Sequence, residues 1–257
     1  MPRKPREKSS SGIYHIILRG INKQLIFEDD VDRTRFLDTL KKYKEISKFQ
    51  LFSYCLMDNH VHLLLKEKDE TISESIKRIS SSYVHWYNTK YKRCGHLFQD
   101  RFRSECVENR RYFLTVLRYI HQNPLKAGLA ENVFENKWTS IHEYIGVPNL
   151  EESLVDIEIV LKLFSPDKDK AINLFIEFMQ EQNDDDHCLD DKSLVRWTDQ
   201  EVADLLHEMG IANISMLQQM DIQARNTVIS SLKAMDGIST RQLSRVTGIS
   251  KSVIDRA

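Results

Sequence analysis

Residues 49–66 restrict the fold of this 257-residue chain more than any other stretch. Phe49 to Met57 and His60 to Lys66 are two β-prone apolar runs, and only Asp58-Asn59 lies between them. Two turn-forming residues between strands fit a tight antiparallel hairpin. A lone hairpin is marginal in water, so neighbouring segments must pair with it and cover it. Ile13 to Arg19, closed by Gly20, reads as an earlier strand, and Phe102 to Val107 as a later, short one. Asp29 or Asp30 can cap a helix that carries Phe36, Leu37, Leu40 and Tyr43 on one face, through Ile46. Thr71 starts another, with Ile72, Ile76, Ile79, Tyr83 and Trp86 at helical spacing, ending near Tyr91. Asn109 caps a third, with Phe113, Val116, Leu117 and Ile120 inward, and Pro124 is expected to stop it after Asn123.

The order β-α-β-β-α-β-α predicts an α+β fold: a ferredoxin-like antiparallel sheet with helices on one face and the other face open. After Pro148 the composition changes. Leu154 to Phe164 and Ala171 to Gln180 read as helices, and Asp184-Asp185-Asp186 as a solvated loop or linker. From Thr198 onward the pattern is all-helical, over Thr198–Met209, Gln223–Met235, Thr240–Thr247 and from Lys251. The expected division is a catalytic domain over 1–147, an acidic helical connector over 148–197 and a helical domain over 198–257.

Charge follows that division. The net charge of −1 conceals a basic part and an acidic one. Residues 1–145 hold 26 Lys and Arg against 18 Asp and Glu, whereas residues 146–257 hold 11 against 20. Within the second part, residues 221–257 are basic again, with 6 against 3. Two basic segments around an acidic one fit two nucleic-acid contacts, although a solvated basic face is also common. No apolar run approaches the roughly 20 residues that span a bilayer. Four cysteines without a CxxC pair fit reduced thiols, so a cytoplasmic, nucleoid-associated protein is expected. A zinc site drawn from Cys55, Cys94, His96 or Cys106 would match no structural zinc spacing.

Alternate strand residues share a face, so His60 and His62 stand together, opposite Val61, Leu63 and Leu65. Two imidazoles at that spacing can share one cation, and a cation there could polarise a phosphate oxygen; the alternative is two solvent-facing histidines. Tyr119 and Asn123 are i and i+4 and share a helix face, with Tyr112 seven residues earlier. A phenol with a pKa near ~10 needs a nearby cation or base to act as a nucleophile. Asn123 could add an oxygen ligand for a hard divalent ion such as Mg²⁺ or Mn²⁺. The alternative is a core tyrosine with Asn123 closing the helix.

Four segments occur in order: Arg19-Gly20-Ile21-Asn22-Lys23-Gln24, Met57 to Leu65, Gly95 to Ser104, and Arg118 to Leu129. Together they resemble the HUH single-tyrosine transposases, in particular the branch associated with repetitive extragenic palindromes. The resemblance covers roughly Gly12 to Gly146, including Trp138-Thr139-Ser140. It implies that His60 and His62 hold a divalent metal with Asn123, and that Tyr119 is the nucleophile. The implied reaction cuts and rejoins hairpin-bearing single-stranded DNA through a 5′-phosphotyrosine link, in a protein that could act as a homodimer. Asp58 stands where many members carry proline, which bears on the turn and removes no ligand. Arg101, Arg103 and Lys126 are candidate phosphate contacts, with a solvated pair of arginines as the alternative reading.

Ile238 to Arg256 reads as a helix-turn-helix, with Gly248 in the turn, Ile249 plugging the core and Ser250 capping the second helix. Arg241, Lys251, Ser252 and Arg256 are its candidate contacts to duplex DNA; such modules also bind proteins. Two other functions fit the same chain. One is a replication-type nicking protein, for which a lone suitable tyrosine is a mild objection. The other is a DNA-binding regulator, against which His60, His62, Tyr119 and Asn123 all speak.

Overall fold

A computed structural model of the chain describes residues 6–146, 153–181, 188, 197–211, 214–235 and 238–256. They fall into two compact units, Met1–Leu189 and Asp190–Ala257. The triple aspartate at 184–186 lies outside the described residues.

The first unit is built on four strands: β1 (Ile13–Arg19), β2 (Gln50–Met57), β3 (His60–Lys66) and β4 (Arg103–Cys106). They form one sheet in the order β2-β3-β1-β4, with every neighbouring pair antiparallel. With α1 (Asp30–Ser47) after β1 and α2 (Ile72–Lys90) after β3, this is the ferredoxin-like arrangement. Both helices start where their caps dictate. Asp29 and Thr71 each accept from the third helical N–H, and Asp32 and Glu74 reach back to close the capping boxes. Lys90 of α2 pairs with Asp29 (2.8 Å) and Asp32 (2.7 Å) at the start of α1, and Tyr83 Oη donates to Ile26 O (2.6 Å) in the loop before it.

Right-handed crossovers put α1 and α2 on the same side of the sheet. The other side differs from the open face expected. The next helix, α3 (Arg110–Lys126), packs there against β2 and β3, with Phe113 on Phe52 and Tyr119 against His15 and His62. Burial requires this, because Ile17, Cys55, His62 and Leu64 on that face are as deeply buried as Ile16, Leu18, Val61 and Leu63 on the opposite one. Nor does Pro124 stop the helix after Asn123; α3 runs on to Lys126. Proline forfeits one hydrogen bond, and in a last turn that is followed directly by the cap the loss does not break the helix. The Ala127 N–H still reaches Asn123 O at 3.0 Å.

The free edge of β2 is covered. Leu56 N donates to Trp138 O and Ser140 N to Tyr54 O, so residues 138–140 add a short fourth-side rung before α4 (Ile141–Gly146). An edge strand left bare would invite pairing with another chain. Two helices from the expected connector, α5 (Ile157–Leu161) and α6 (Lys168–Gln180), also pack into this unit. Their apolar faces explain it: Val160, Phe175 and Met179 are fully buried, and Phe175 stacks on Tyr144 at 4.5 Å.

The second unit consists of α7 (Asp199–Glu208), α8 (Ile214–Gln219), α9 (Ile222–Ala234), α10 (Thr240–Thr247) and α11 (Lys251–Arg256). Val202, Leu206, Leu217, Ile229, Leu232, Leu243, Ile249 and Ile254 form its core. Gly248 ends α10 in the left-handed region (φ 67°), where a side chain is strained, and α11 follows after Ile249 and Ser250. Among the described residues no helix is long and apolar enough to cross a membrane.

Candidate active site

The hairpin turn that carries His60 is held from β1. Gly20 N donates to Asn59 O at 2.8 Å, and the chain then folds back through Asn22 and Lys23, both at positive φ, so that Ile26 N reaches Asp58 O at 2.8 Å. A Cβ on Gly20 would stand 2.2 Å from Gln24 O, so only glycine lets this return loop close. Residues 97–99 run beside it, with Ile21 N bonded to Leu97 O and Gln99 N to Arg19 O. The sequence segments starting at Arg19 and Gly95 therefore serve one purpose: they brace the turn before the paired histidines. Asp58, the departure from the common proline, pairs with Arg33 on α1.

Register places Arg19 beside His60, Ile17 beside His62 and His15 beside Leu64. The three histidines thus share a face, with ring centroids 4.9 Å apart for His60–His62 and 5.3 Å for His15–His62. Both motif histidines are anchored through Nδ1. His60 Nδ1 donates to Asn59 Oδ1 at 2.6 Å, and His62 Nδ1 lies 3.0 Å from His15 Nε2. Each Nε2 is then the atom that could ligate a cation, and His62 Nε2 is buried without a hydrogen-bond partner.

From the facing helix, Tyr119 sets its ring edge against His62 (5.7 Å between centroids) and His15 (5.8 Å). Asn123, one turn later, hydrogen-bonds the His60 side chain. Lys126 Nζ lies 5.1 Å from the Tyr119 ring. The helix is fixed from behind. His121 Nε2 meets Ser140 Oγ at 2.8 Å, Gln122 donates to Met179 O and Glu181 O at 2.9 Å, and Arg118 pairs with Glu181 at 2.7 Å. The structure therefore brings His60, His62, Tyr119 and Asn123 together in one cluster, with His62 and Tyr119 buried and His60 and Asn123 half-buried. A strand pair 7 residues long and a helix distant in sequence meet here; His62 is buried rather than solvent-facing, and Tyr119 packs in the core against it.

These donors fit a divalent cation. Burial, with the Arg19 charge second, pushes His60 down to about 4, against the hydrogen bond from Asn123; burial and the neighbouring histidines hold His62 well below its usual range. Both rings are neutral at pH 7, the form a metal needs, and one nitrogen waits without a partner. Two imidazoles and one amide oxygen make a mixed N/O set that leaves positions for phosphate oxygens. Among the described residues no group of three or more His, Cys, Asp or Glu side chains is arranged to hold a metal, so a three-donor set here would have to include the Asn123 amide.

The same burial predicts acid lability. His121, buried against Ser140, is pushed down to about 3 by desolvation. Its folded pKa lies below the unfolded value of 6.5, so the unfolded chain binds more protons between those limits. Stability is fully present above pH ~6.5 and drains as pH falls; at pH 5 this one group costs on the order of 2 kcal/mol. His60 and His62 act in the same direction. Denaturant midpoints of the metal-free chain at pH 7.5 and 5 should differ accordingly, and equal midpoints would show that the imidazoles are not buried.

Of the candidate DNA contacts in the first unit, Arg101 and Arg103 are exposed; Arg103 pairs with Ile17 on the histidine face, and its charge lies close to Arg19. In the second unit Arg241, Lys251, Ser252 and Arg256 are exposed. Lys251 lies 3.9 Å from Asp255, and Arg256 Nε donates to Ser252 O. Arg245, not a candidate, is bound to Asp199. Two residues of the first site escaped the sequence reading: His15, which only the β1–β3 register brings next to His62, and Glu105 on β4, opposite His15.

The family model described as "Transposase IS200 like" matches residues 8–123. A curated relative from Haemophilus influenzae, named "Putative REP-associated tyrosine transposase", is 24% identical over 151 residues, 53% of this chain and 84% of its own length. Among solved structures, a REP-associated tyrosine transposase bound to a REP hairpin aligns with 18% identity and a TM-score of 0.49, over 61% of this chain and 90% of its own. The matched family segment spans β1 to Asn123, and so contains every residue of the cluster. Residues 8–123, which lie within the N-terminal unit, are thus similar to the IS200-like transposases.

Proposed function

We propose that the first unit cuts and rejoins single-stranded DNA bearing palindromic hairpins, with Tyr119 as nucleophile and a divalent cation held by His60, His62 and Asn123. The observation that carries this reading is the meeting of Tyr119 and Asn123 with two neutral imidazoles, one of which is buried and keeps an unpartnered Nε2. The Tyr119 oxygen attacks a backbone phosphorus; the new bond is P–Oη, and the bond that breaks is P–O3′. The phenol loses its proton, the departing 3′-oxygen gains one, and the 5′-phosphate stays on the enzyme. Attack by a second 3′-hydroxyl reverses these changes and joins new ends. A bound cation would supply Lewis acidity toward a non-bridging phosphate oxygen. The chain itself orients the ligands, excludes water around them and holds Tyr119 beside them. Arg103 and Lys126 flank the cluster as phosphate contacts.

For the second unit, α10 and α11 are read as a helix-turn-helix that touches duplex DNA through Arg241, Lys251, Ser252 and Arg256. Replacing Lys251 or Arg256 with alanine should weaken duplex binding across sequences and lower the salt slope by about 1 each. An unchanged slope would favour a protein-binding module.

The main reading is tested with Mn²⁺ and two substrates. A single-stranded oligonucleotide with a palindromic hairpin should be cut to a free 3′-hydroxyl and a protein-linked 5′-end. The same sequence as a perfect duplex should resist. Binding without cleavage would point to a regulator instead.

A further inference from the structure

We propose that Glu105 and His15 form an outer relay that fixes His62 as its Nδ1–H tautomer and so commits the His62 Nε2 lone pair to a divalent cation. This rests on the cation reading given above and goes beyond it, because neither residue belongs to the His-x-His motif or to the tyrosine helix. The geometry allows two proton arrangements, and the Glu105 charge favours one of them. His62 Nδ1 and His15 Nε2 are 3.0 Å apart, and both rings are fully buried. One of the two nitrogens must donate to the other. His15 Nδ1, on the far side of its ring, lies 3.7 Å from the Glu105 carboxylate, an electrostatic approach rather than a hydrogen bond. A carboxylate favours a proton on the nitrogen that faces it, so His15 carries its hydrogen on Nδ1 and accepts on Nε2. His62 must then donate from Nδ1, and its Nε2 is left as a bare lone pair.

That lone pair has no protein partner. A buried acceptor without a donor costs free energy, so such an arrangement is kept where something else fills the place. The sheet supplies the alignment. Glu105, His15 and Leu64 are register neighbours across β4, β1 and β3, one step along the sheet from Arg103, Ile17 and His62. The carboxylate end of the relay is 28% exposed, while the two imidazoles are sealed beneath Tyr119. His60 has a local substitute for the same service, since Asn59 Oδ1 takes its Nδ1 proton. The two ligands are thus oriented by different means, one from the turn and one from across the sheet. Removing the partner of a ligating histidine commonly weakens metal affinity by about 10- to 100-fold.

The test is Mn²⁺ binding to the 257-residue chain without DNA, followed by electron paramagnetic resonance or calorimetry. His15→Leu should weaken binding by about 10- to 100-fold, and His15→Gln, whose amide oxygen accepts the same proton, should recover most of it. His15→Leu that binds as tightly as the unaltered chain overturns the relay. His60→Ala separates the two claims: if it leaves Mn²⁺ binding untouched, the cation reading fails and the relay with it. If it weakens binding while His15→Leu does not, the relay alone fails. Should His15→Leu not fold, the unaltered metal-free chain still decides, through the ring ¹⁵N shifts of His62. A proton on Nδ1 agrees with the relay, and a proton on Nε2 overturns it.

Discussion

Tyr119→Phe should lower cleavage and strand joining by about 10⁴-fold or more, the scale on which loss of a covalent nucleophile falls. It should also abolish the covalent protein–DNA species. The substitution is small where packing is concerned. The ring keeps its edge contacts to His15 and His62, and only the hydroxyl is lost, so stability should change by about 1 kcal/mol at most. Binding of hairpin DNA should persist, because the exposed Arg101 and Arg103 are unaltered. A variant that still cuts at more than a few per cent of the original rate would move the nucleophile elsewhere. Tyr112 is the obvious reserve on the same helix. Burial beside Glu105 raises its pKa well above the ordinary phenol value, the wrong direction for a nucleophile.

The paired histidines give the second large effect. His60→Ala should cut Mn²⁺-stimulated cleavage by about 10²- to 10⁴-fold, since a Lewis acid worth several kcal/mol to the transition state is lost. The fold should survive, because His60 opens β3 half-buried and its backbone pairing does not involve the ring. His62→Ala should have the same effect on rate and an added effect on stability. It removes a fully buried ring and leaves His15 Nε2 without its partner, a change worth about 1–3 kcal/mol. Unaltered rates in both variants would remove the cation from the account and leave Tyr119 to be activated by Lys126, which lies 5.1 Å from its ring.

Much of this unit can be read from residue order. β1 and β3 have the boundaries that alternation and Gly20 set, and α1 and α2 begin at the Asp29 and Thr71 caps. Those signals are local. What the sequence could not supply depends on which elements meet. His15 sits in an apolar strand with nothing nearby to mark it, and its role exists only because β1 pairs with β3 in one register. The open face was a reasonable expectation from two crossover helices, yet a sheet whose strands are buried on both sides needs a second layer, and α3 provides it. The acidic stretch read as a connector contains α6, whose Phe175 and Met179 find their cover against α3, α4 and the α5 segment with Phe164. Pro124 misled for a related reason: the rule against proline in helices weakens in a final turn.

The family pattern explains why four short motifs lie so far apart. Arg19-Gly20 and Gly95 to Gln99 brace the turn, Met57 to Leu65 carries the paired histidines, and Arg118 to Lys126 brings the phenol and the amide. Each is unremarkable alone; their shared purpose appears once the sheet is formed.

Mapping the covalent adduct tests the central claim most directly. The chain is incubated with Mn²⁺ and a hairpin oligonucleotide, digested with nuclease and protease, and its peptides are sequenced by mass spectrometry. The account predicts a single 5′-phosphodiester-linked tyrosine, at position 119. An adduct on Tyr112 or any other residue, or complete cleavage with both ends free and no adduct at all, would contradict it.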